Sequence, residues 1–468
     1  MKKKLFIGPR LRRLRRELGL TQARMAEELG VSPSYVNLIE RNQRPVSAQL
    51  LLRIAQNFDI ELKTLASSDD ERLFTDLSEA FADPLLQNFG VTREDAHELA
   101  TGNPAVAEAI AALYRAYRQA KPEGAAASSG DRAAQPPLEV VRDFIQDHRN
   151  YFPALEEAGE NLYNELKLSD GDPYFAMRRR LEDAHRLRVR VAPADVMTSA
   201  LRRFDRHRRE IMLSEALDAS SRNFQLALQI GLLEQNALFD EIISQAKVED
   251  RDVARILRIS LGNYFAAAVM MPYAAFFKAA ESLAYDIEAL GRRFSASFEQ
   301  VAHRLTSLQR PGMLGVPFFF IRIDIAGNIS KRLSSGDFPF SKYGGACPRW
   351  NVHDAFRTPG RILTQVVSLP GGGTFFSIAR TVRGWTAGFG SPSMEKAVGV
   401  GCSIEHARRL VYARGLDLDA ADIATPIGVT CRLCERPDCA QRAFPPAARR
   451  LIVDETRRMA APFTFAFE

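Results

Sequence analysis

The chain has 468 residues, 46% of them hydrophobic and 26% charged, enough for about three domains with real cores. No apolar run reaches the ~18 residues of a membrane span, and the basic start lacks the apolar core of an export signal, so a cytoplasmic protein with no membrane partner is expected. Net charge is +6, yet residues 1–60 hold twelve Lys/Arg against five acids, and a basic module on a near-neutral body points to a polyanion met by that module alone.

Residues 7–18 place Ile7, Leu11, Leu14 and Leu18 on one face of a basic helix that Gly19 ends. Thr21 is positioned to cap a short helix over 22–29, stopped by Gly30. Ser32 caps the next, Pro33 takes its first position, and the helix runs to about Glu40. Two short helices hinged at a glycine make a groove-reading unit. The run from Leu20-Thr-Gln through Leu29-Gly-Val-Ser to Ser34-Tyr-Val, Ile39-Glu and Arg44-Pro resembles the XRE/Cro-like repressors over residues 7–65. Gln22, at a helix N-terminus, is expected on a phosphate. Ser32, Ser34, Tyr35 and Asn37 are expected at base edges or backbone, and Arg41 and Arg44 on phosphates, which position without specifying. Met25, Ala26, Leu29, Val31, Val36 and Ile39 read as core. The partner implied is double-stranded operator DNA, bound as a dimer on two half-sites.

Residues 69–118 read as an all-helical spacer or dimerisation segment. The Pro-, Gly-, Ala- and Ser-rich stretch 119–137 reads as a linker. From 138 to 310 helical periodicity returns, with one strand expected at Leu187–Val191. Two segments, Ser221–Leu233 and Leu261-Gly-Asn-Tyr-Phe-Ala-Ala-Ala268, resemble the core of ImmA/IrrE-type zinc peptidases. The window that holds His-Glu-x-x-His in that family reads Leu228-Gln-Ile-Gly-Leu232 here. Both histidine ligands and the general-base Glu are missing, and Leu cannot bind zinc. The expectation is a peptidase-like fold with no enzymatic activity and a cleft free for another ligand.

The last third, 311–468, turns strand-like at Phe318–Ile325, Val366–Leu369 and Thr374–Ala379, with Pro370-Gly-Gly-Gly373 read as a turn. All five cysteines fall here. Cys431-Arg-Leu-Cys434-Glu-Arg-Pro-Asp-Cys439 puts three sulfurs within nine residues, and in a reducing cytosol clustered thiols point to a metal rather than to disulfides. A fourth ligand would complete a 4Fe–4S cluster, or alternatively a Cys₄ zinc site. Cys402 is preferred for it, with Cys347 able to serve instead or to be a packed thiol. The fold class expected is mainly α with an α+β C-terminal part.

Together with Cys347-Pro-Arg-Trp350 and Pro426-Ile-Gly-Val-Thr-Cys431, this order of modules resembles the short-chain fatty acyl-CoA regulators over nearly the whole chain. The resemblance implies a homo-oligomeric transcription factor of propionyl-CoA or related acyl-CoA metabolism, carrying a 4Fe–4S cluster on C-terminal cysteines. An acyl tail wants a small apolar pocket and CoA phosphates want Arg or Lys, which nominates Tyr264, Arg209 and Arg322, with Tyr264 able equally to be a core aromatic and Arg322 a solvated strand residue. The competing reading is a stress or phage-type repressor controlled by a protein partner, its sulfurs holding structural zinc.

Overall fold

The computed structural model describes residues 8–40, 43–44, 46–58, 69–83, 86, 89, 91–120, 137–197, 199–248, 250–336, 338–340, 345–370, 373–384, 394–420, 422–447 and 449–466. Helix accounts for 48% of the described residues and strand for 15%, as the mainly-α reading anticipates. The chain divides into two compact units, residues 1–133 with Cys431–Glu468, and Ala134–Thr430. The expected linker at 119–137 lies almost wholly outside the described residues.

In the first unit, helices α1 (Gly8–Glu17), α2 (Gln22–Leu29), α3 (Pro33–Glu40) and α4 (Ala48–Asn57) enclose Leu11, Met25, Ala26, Leu29, Val36, Ile39, Leu50 and Ile54. The caps are those the sequence implies. Thr21 Oγ1 accepts from the Arg24 N–H at 3.2 Å, and Gly30 at φ +63° turns its N–H back to Ala26 and Glu27 carbonyls. Of the expected core, Val31 is only partly buried; Leu18, placed on the apolar face of the first helix, is 44% exposed, because the helix has ended at Glu17 and the chain turns at Gly19 (φ +65°). Helices α5 (Asp69–Phe81), α6 (Arg93–Gly102) and α7 (Pro104–Ala120) bury Leu77, Ala96, Ala100 and Ala107 as a separate small cluster. Val106 and Leu113 of α7, seven residues apart, stay 51% and 72% exposed.

The second unit opens with α8 (Pro137–Asp147), α9 (Pro153–Glu165) and α10 (Pro173–His185), then a three-stranded sheet. The sequence implies one strand there. The structure has β1 (Arg188–Ala192), β2 (Arg202–Asp205) and β3 (Glu210–Ser214), in the order β1-β3-β2, with the short helix α11 (Ala194–Met197) between β1 and β2. The apolar run of β3 is too short to be told from buried helix by periodicity alone. Helices α12 (Ala219–Glu234), α13 (Asn236–Gln245), α14 (Arg251–Met270), α15 (Tyr273–Ser282), α16 (Ile287–Phe294) and α17 (Phe298–Leu305) follow. By length and composition α14 alone among the described helices could span a membrane, but it packs as a core helix, with Leu257, Leu261, Phe265 and Val269 buried.

A six-stranded sheet completes the unit in the order β5-β4-β8-β7-β6-β9. Its strands are β4 (Phe319–Ile323), β5 (Ile329–Ser334), β6 (Leu363–Ser368), β7 (Thr374–Arg383), β8 (Glu395–Ser403) and β9 (Thr425–Pro426). Neighbours are antiparallel except β6 and β9. Strand alternation divides the apolar residues between two cores. Phe320, Phe376, Val398, Val400 and Cys402 join the helical core, while Phe319, Ile321, Ala397, Trp350 and Cys347 form the other.

Candidate functional site

The DNA reader is held by a clamp that the sequence does not announce. Glu40, at the end of α3 and only 6% exposed, receives Arg15 Nε at 2.6 Å, Arg15 Nη2 at 3.2 Å and Gln22 Nε2 at 2.7 Å. Burial works to raise the Glu40 carboxyl, and the hydrogen bonds from Arg15 and Gln22 more than reverse it, holding its pKa below the usual value. One carboxylate thereby fixes α1 and α2 to the recognition helix α3. A sequence signal existed: an acid at a helix C-terminus opposes the helix dipole and calls for a partner.

Gln22, expected on a phosphate, thus has its donor turned to Glu40 in this state. Ser32 caps α3, its Oγ accepting the Tyr35 N–H at 3.2 Å, and Tyr35 packs partly on the domain core. Ser34 and Arg44 are exposed and Asn37 is half-buried. Arg41 lies outside the described residues.

In the second unit, the window that replaces the zinc-peptidase motif is packed rather than open. Leu228 and Ile230 are buried. A Cβ on Gly231 would come within 2.5 Å of Phe265, and one on Gly262 within 2.7 Å of Leu228, so α12 and α14 cross at close backbone approach. Beside this crossing lies a fully buried ionic network. Glu156 of α9 takes Arg304 of α17 through both oxygens, at 2.5 and 2.7 Å, with exposures of 0% and 1%. Arg304 also donates to the Met271 carbonyl and Ser307 Oγ, both at 3.0 Å. Burial opposes the Arg304 charge, and the Glu156 carboxylate more than compensates.

Tyr264 belongs to this network. Its hydroxyl donates to Glu156 at 2.5 Å and accepts the Phe152 N–H at 3.2 Å, and burial lifts its pKa well above the usual value. At 5% exposure Tyr264 is buried, with its polar end already partnered, as the core-aromatic alternative implies. The other two nominated residues are not brought to it. Arg209 sits exposed on the β2–β3 turn at φ +51° with no ion pair among the described residues. Arg322, on β4, donates to Glu299 at 2.5 Å and to Ser330 at 2.9 Å. Directly across from it on β5 stands Lys331, whose ammonium burial pushes down to about 8.

The cysteine loop is built around a side chain the sequence reading passed over. Cys434 N–H turns back to the Cys431 carbonyl at 3.3 Å, and Arg442 N–H to Cys439 at 3.1 Å. The Arg442 guanidinium, on a residue 3% exposed, donates to the carbonyls of Cys431 (3.0 Å), Cys434 (2.8 Å), Arg436 (2.7 Å) and Phe444 (3.3 Å). It lies over the Phe465 ring at 5.0 Å, and its Nε has no partner. None of the five cysteines is in a disulfide. Cys402 faces the helical core, where burial pushes its thiol up to about 12, and Cys347 faces the opposite core. Among the described residues no three His, Cys, Asp or Glu side chains converge closely enough to hold a metal ion.

Three family profiles match parts of the chain: a helix-turn-helix over residues 11–65, an IrrE N-terminal-like domain over 182–306, and the C-terminal domain of the short-chain fatty acyl coenzyme A regulators over 307–463. Among similar proteins, the HTH-type transcriptional regulator RamB of Mycobacterium tuberculosis is 40% identical across 98% of both chains. PrpR of the same organism is 40% identical over 98% of this chain and 96% of its own. The propionyl-CoA carboxylase regulator of Cereibacter sphaeroides is 42% identical over 99% of both. A solved M. tuberculosis transcriptional regulator superposes with a TM-score of 0.67 at 40% identity, covering 70% of this chain and 99% of that one. With a capped, basic reader and relatives that are transcriptional regulators along nearly their whole length, the chain is a transcriptional regulator, and it belongs to the short-chain fatty acyl coenzyme A regulator family.

Proposed function

We propose that this regulator binds operator DNA as a cytoplasmic homodimer or higher homo-oligomer, and that its effector is a short-chain acyl-CoA, propionyl-CoA by preference. The observation that carries the ligand is the end-to-end identity with a protein named for propionyl-CoA carboxylase regulation. Exposed Val106 and Leu113 on one face of α7 support self-association. Unpaired Arg209 is the nominated residue freest to meet a CoA phosphate. Regulation is then a population shift, with acyl-CoA favouring one of two conformations that differ in how they present two readers to DNA.

The same reading includes a 4Fe–4S cluster on Cys431, Cys434 and Cys439, with zinc as the alternative metal. The residues fit such a group in kind: soft thiols suit either metal, and a buried guanidinium with an orphaned Nε lies against their carbonyls. Loading would require the loop to close its sulfurs together. Cys402 and Cys347 are the two sources of a fourth thiolate. Of the two, Cys402 is preferred, with Cys347 the alternative. Once bound, the cluster supplies a rigid cross-link and one-electron redox chemistry.

Isothermal titration of anaerobically purified protein with propionyl-CoA, acetyl-CoA and free CoA tests the ligand, with operator retardation as the coupled readout. Micromolar binding that prefers the propionyl form and changes operator affinity supports the proposal. Absence of binding to all three in folded, metal-loaded protein would replace it with a repressor controlled by a protein partner. Iron and sulfide analysis of Cys434→Ser, Cys347→Ser and Cys402→Ser tests the cluster and its fourth ligand.

A further inference from the structure

Arg442 has an electrostatic anomaly that its hydrogen bonds do not remove. Its four acceptors are all backbone carbonyls, and no carboxylate among the described residues pairs with it. The nearby acid Glu435 is matched by Arg449 at 2.9 Å. A guanidinium this buried ordinarily has an anion beside it, because dipoles alone repay little of the lost hydration. Two of its four carbonyls belong to Cys431 and Cys434. Covalent geometry therefore limits the separation between the guanidinium and those two sulfurs to about 8 Å, whatever their rotamers. At that range a buried, full positive charge acts on any charge carried by the thiolates, most directly on that of the buried Cys434.

We infer that Arg442 is the charge-compensating and positioning residue of the cysteine loop: its fork sets the Cys431–Cys434 turn, and its charge offsets the net negative charge of a thiolate-bound metal group. This rests on the cluster reading above. The fork aims two cysteine carbonyls at one point, which fixes the turn from which both side chains leave. The planar five-donor group suits that task, and Lys would keep the charge without the fork. A four-thiolate iron–sulfur cluster is anionic and gains one more negative charge on reduction. A fixed cation nearby therefore favours the reduced form.

The test uses the full chain, purified anaerobically, as wild type, Arg442→Lys and Arg442→Gln. Iron and sulfide content, the midpoint potential and the rate of metal release to a chelator are measured on each. Operator binding serves as the check on folding. In Arg442→Gln the potential should fall by the equivalent of about a tenfold change in the redox ratio, 59 mV for one electron. Arg442→Lys should stay near wild type in potential, and both variants should release metal severalfold faster. Equal potentials in wild type and Arg442→Gln, with the cluster retained, overturn the charge role. Unchanged release in both variants overturns the positioning role. Wild-type protein lacking both iron and zinc overturns the cluster reading itself, which separates that failure from failure of the inference.

Discussion

Glu156→Gln is the sharpest perturbation of the second unit, because it removes one charge and almost no volume. It leaves Arg304, 1% exposed, without its carboxylate in a site closed to water. Removing one partner of a buried ion pair costs about 3–5 kcal/mol, most of it the uncompensated charge left behind. At roughly 2–4 °C per kcal/mol for a domain of this size, thermal unfolding should move down by about 6–20 °C. Tyr264→Phe is the control. It deletes a hydroxyl that donates to Glu156 and leaves the Phe152 N–H without its acceptor, a loss of about 1–3 kcal/mol. If Tyr264 is a core residue, acyl-CoA affinity of Tyr264→Phe should match wild type below its lowered melting temperature. The assay pairs thermal unfolding by circular dichroism with titration calorimetry. A melting shift under about 3 °C for Glu156→Gln would refute the buried-pair argument. Lost ligand binding in a Tyr264→Phe protein of undiminished stability would return that residue to a ligand pocket.

Glu40→Gln should destabilise the reader by about 1.5–3 kcal/mol, the range for hydrogen bonds to a charged group, and weaken operator binding; unchanged chemical denaturation of that domain would contradict the clamp. Because the folded Glu40 pKa is depressed, its contribution is complete above the unfolded value of about 4.3 and is lost as pH falls through the folded value. The acid limb of the stability profile should therefore flatten in Glu40→Gln. Asn37→Ala should cost about 1–3 kcal/mol on operator DNA and little on random DNA, whereas Arg44→Ala should weaken both and reduce the salt slope by about 1. Equal losses for Asn37→Ala on both DNAs, read by fluorescence anisotropy, would remove it from base reading. Gly231→Ala drives a methyl against the buried Phe265 ring and should cost about 1–3 kcal/mol by overpacking; a melting curve identical to wild type would mean the α12–α14 crossing is loose.

The reader was legible because its signals are local: a cap at Thr21, a stop at Gly30 and an apolar stripe between them fix each helix within a few residues. The ionic core was not, because Glu156 and Arg304 lie 148 residues apart and each alone looks like an ordinary surface charge. A partial signal was available in the pattern of α17. Arg304 falls three residues after Val301, beside Leu305, on the stripe that must face inward. A charge on that stripe requires a buried partner, though sequence cannot say which acid supplies it. The same limit applies at the C-terminal loop. Cysteine spacing pointed to the three thiols, but Arg442 reads as one more basic residue in a chain of 63 Lys and Arg. Only folding shows that its guanidinium is enclosed by the carbonyls of two of those cysteines. Tyr264 shows the opposite failure. Its position on a helix resembling the peptidase core was read correctly, yet helix identity fixes an azimuth, not a depth. With glycine at 231 and 262 the two helices close on each other, and the face that carries Tyr264 becomes interior.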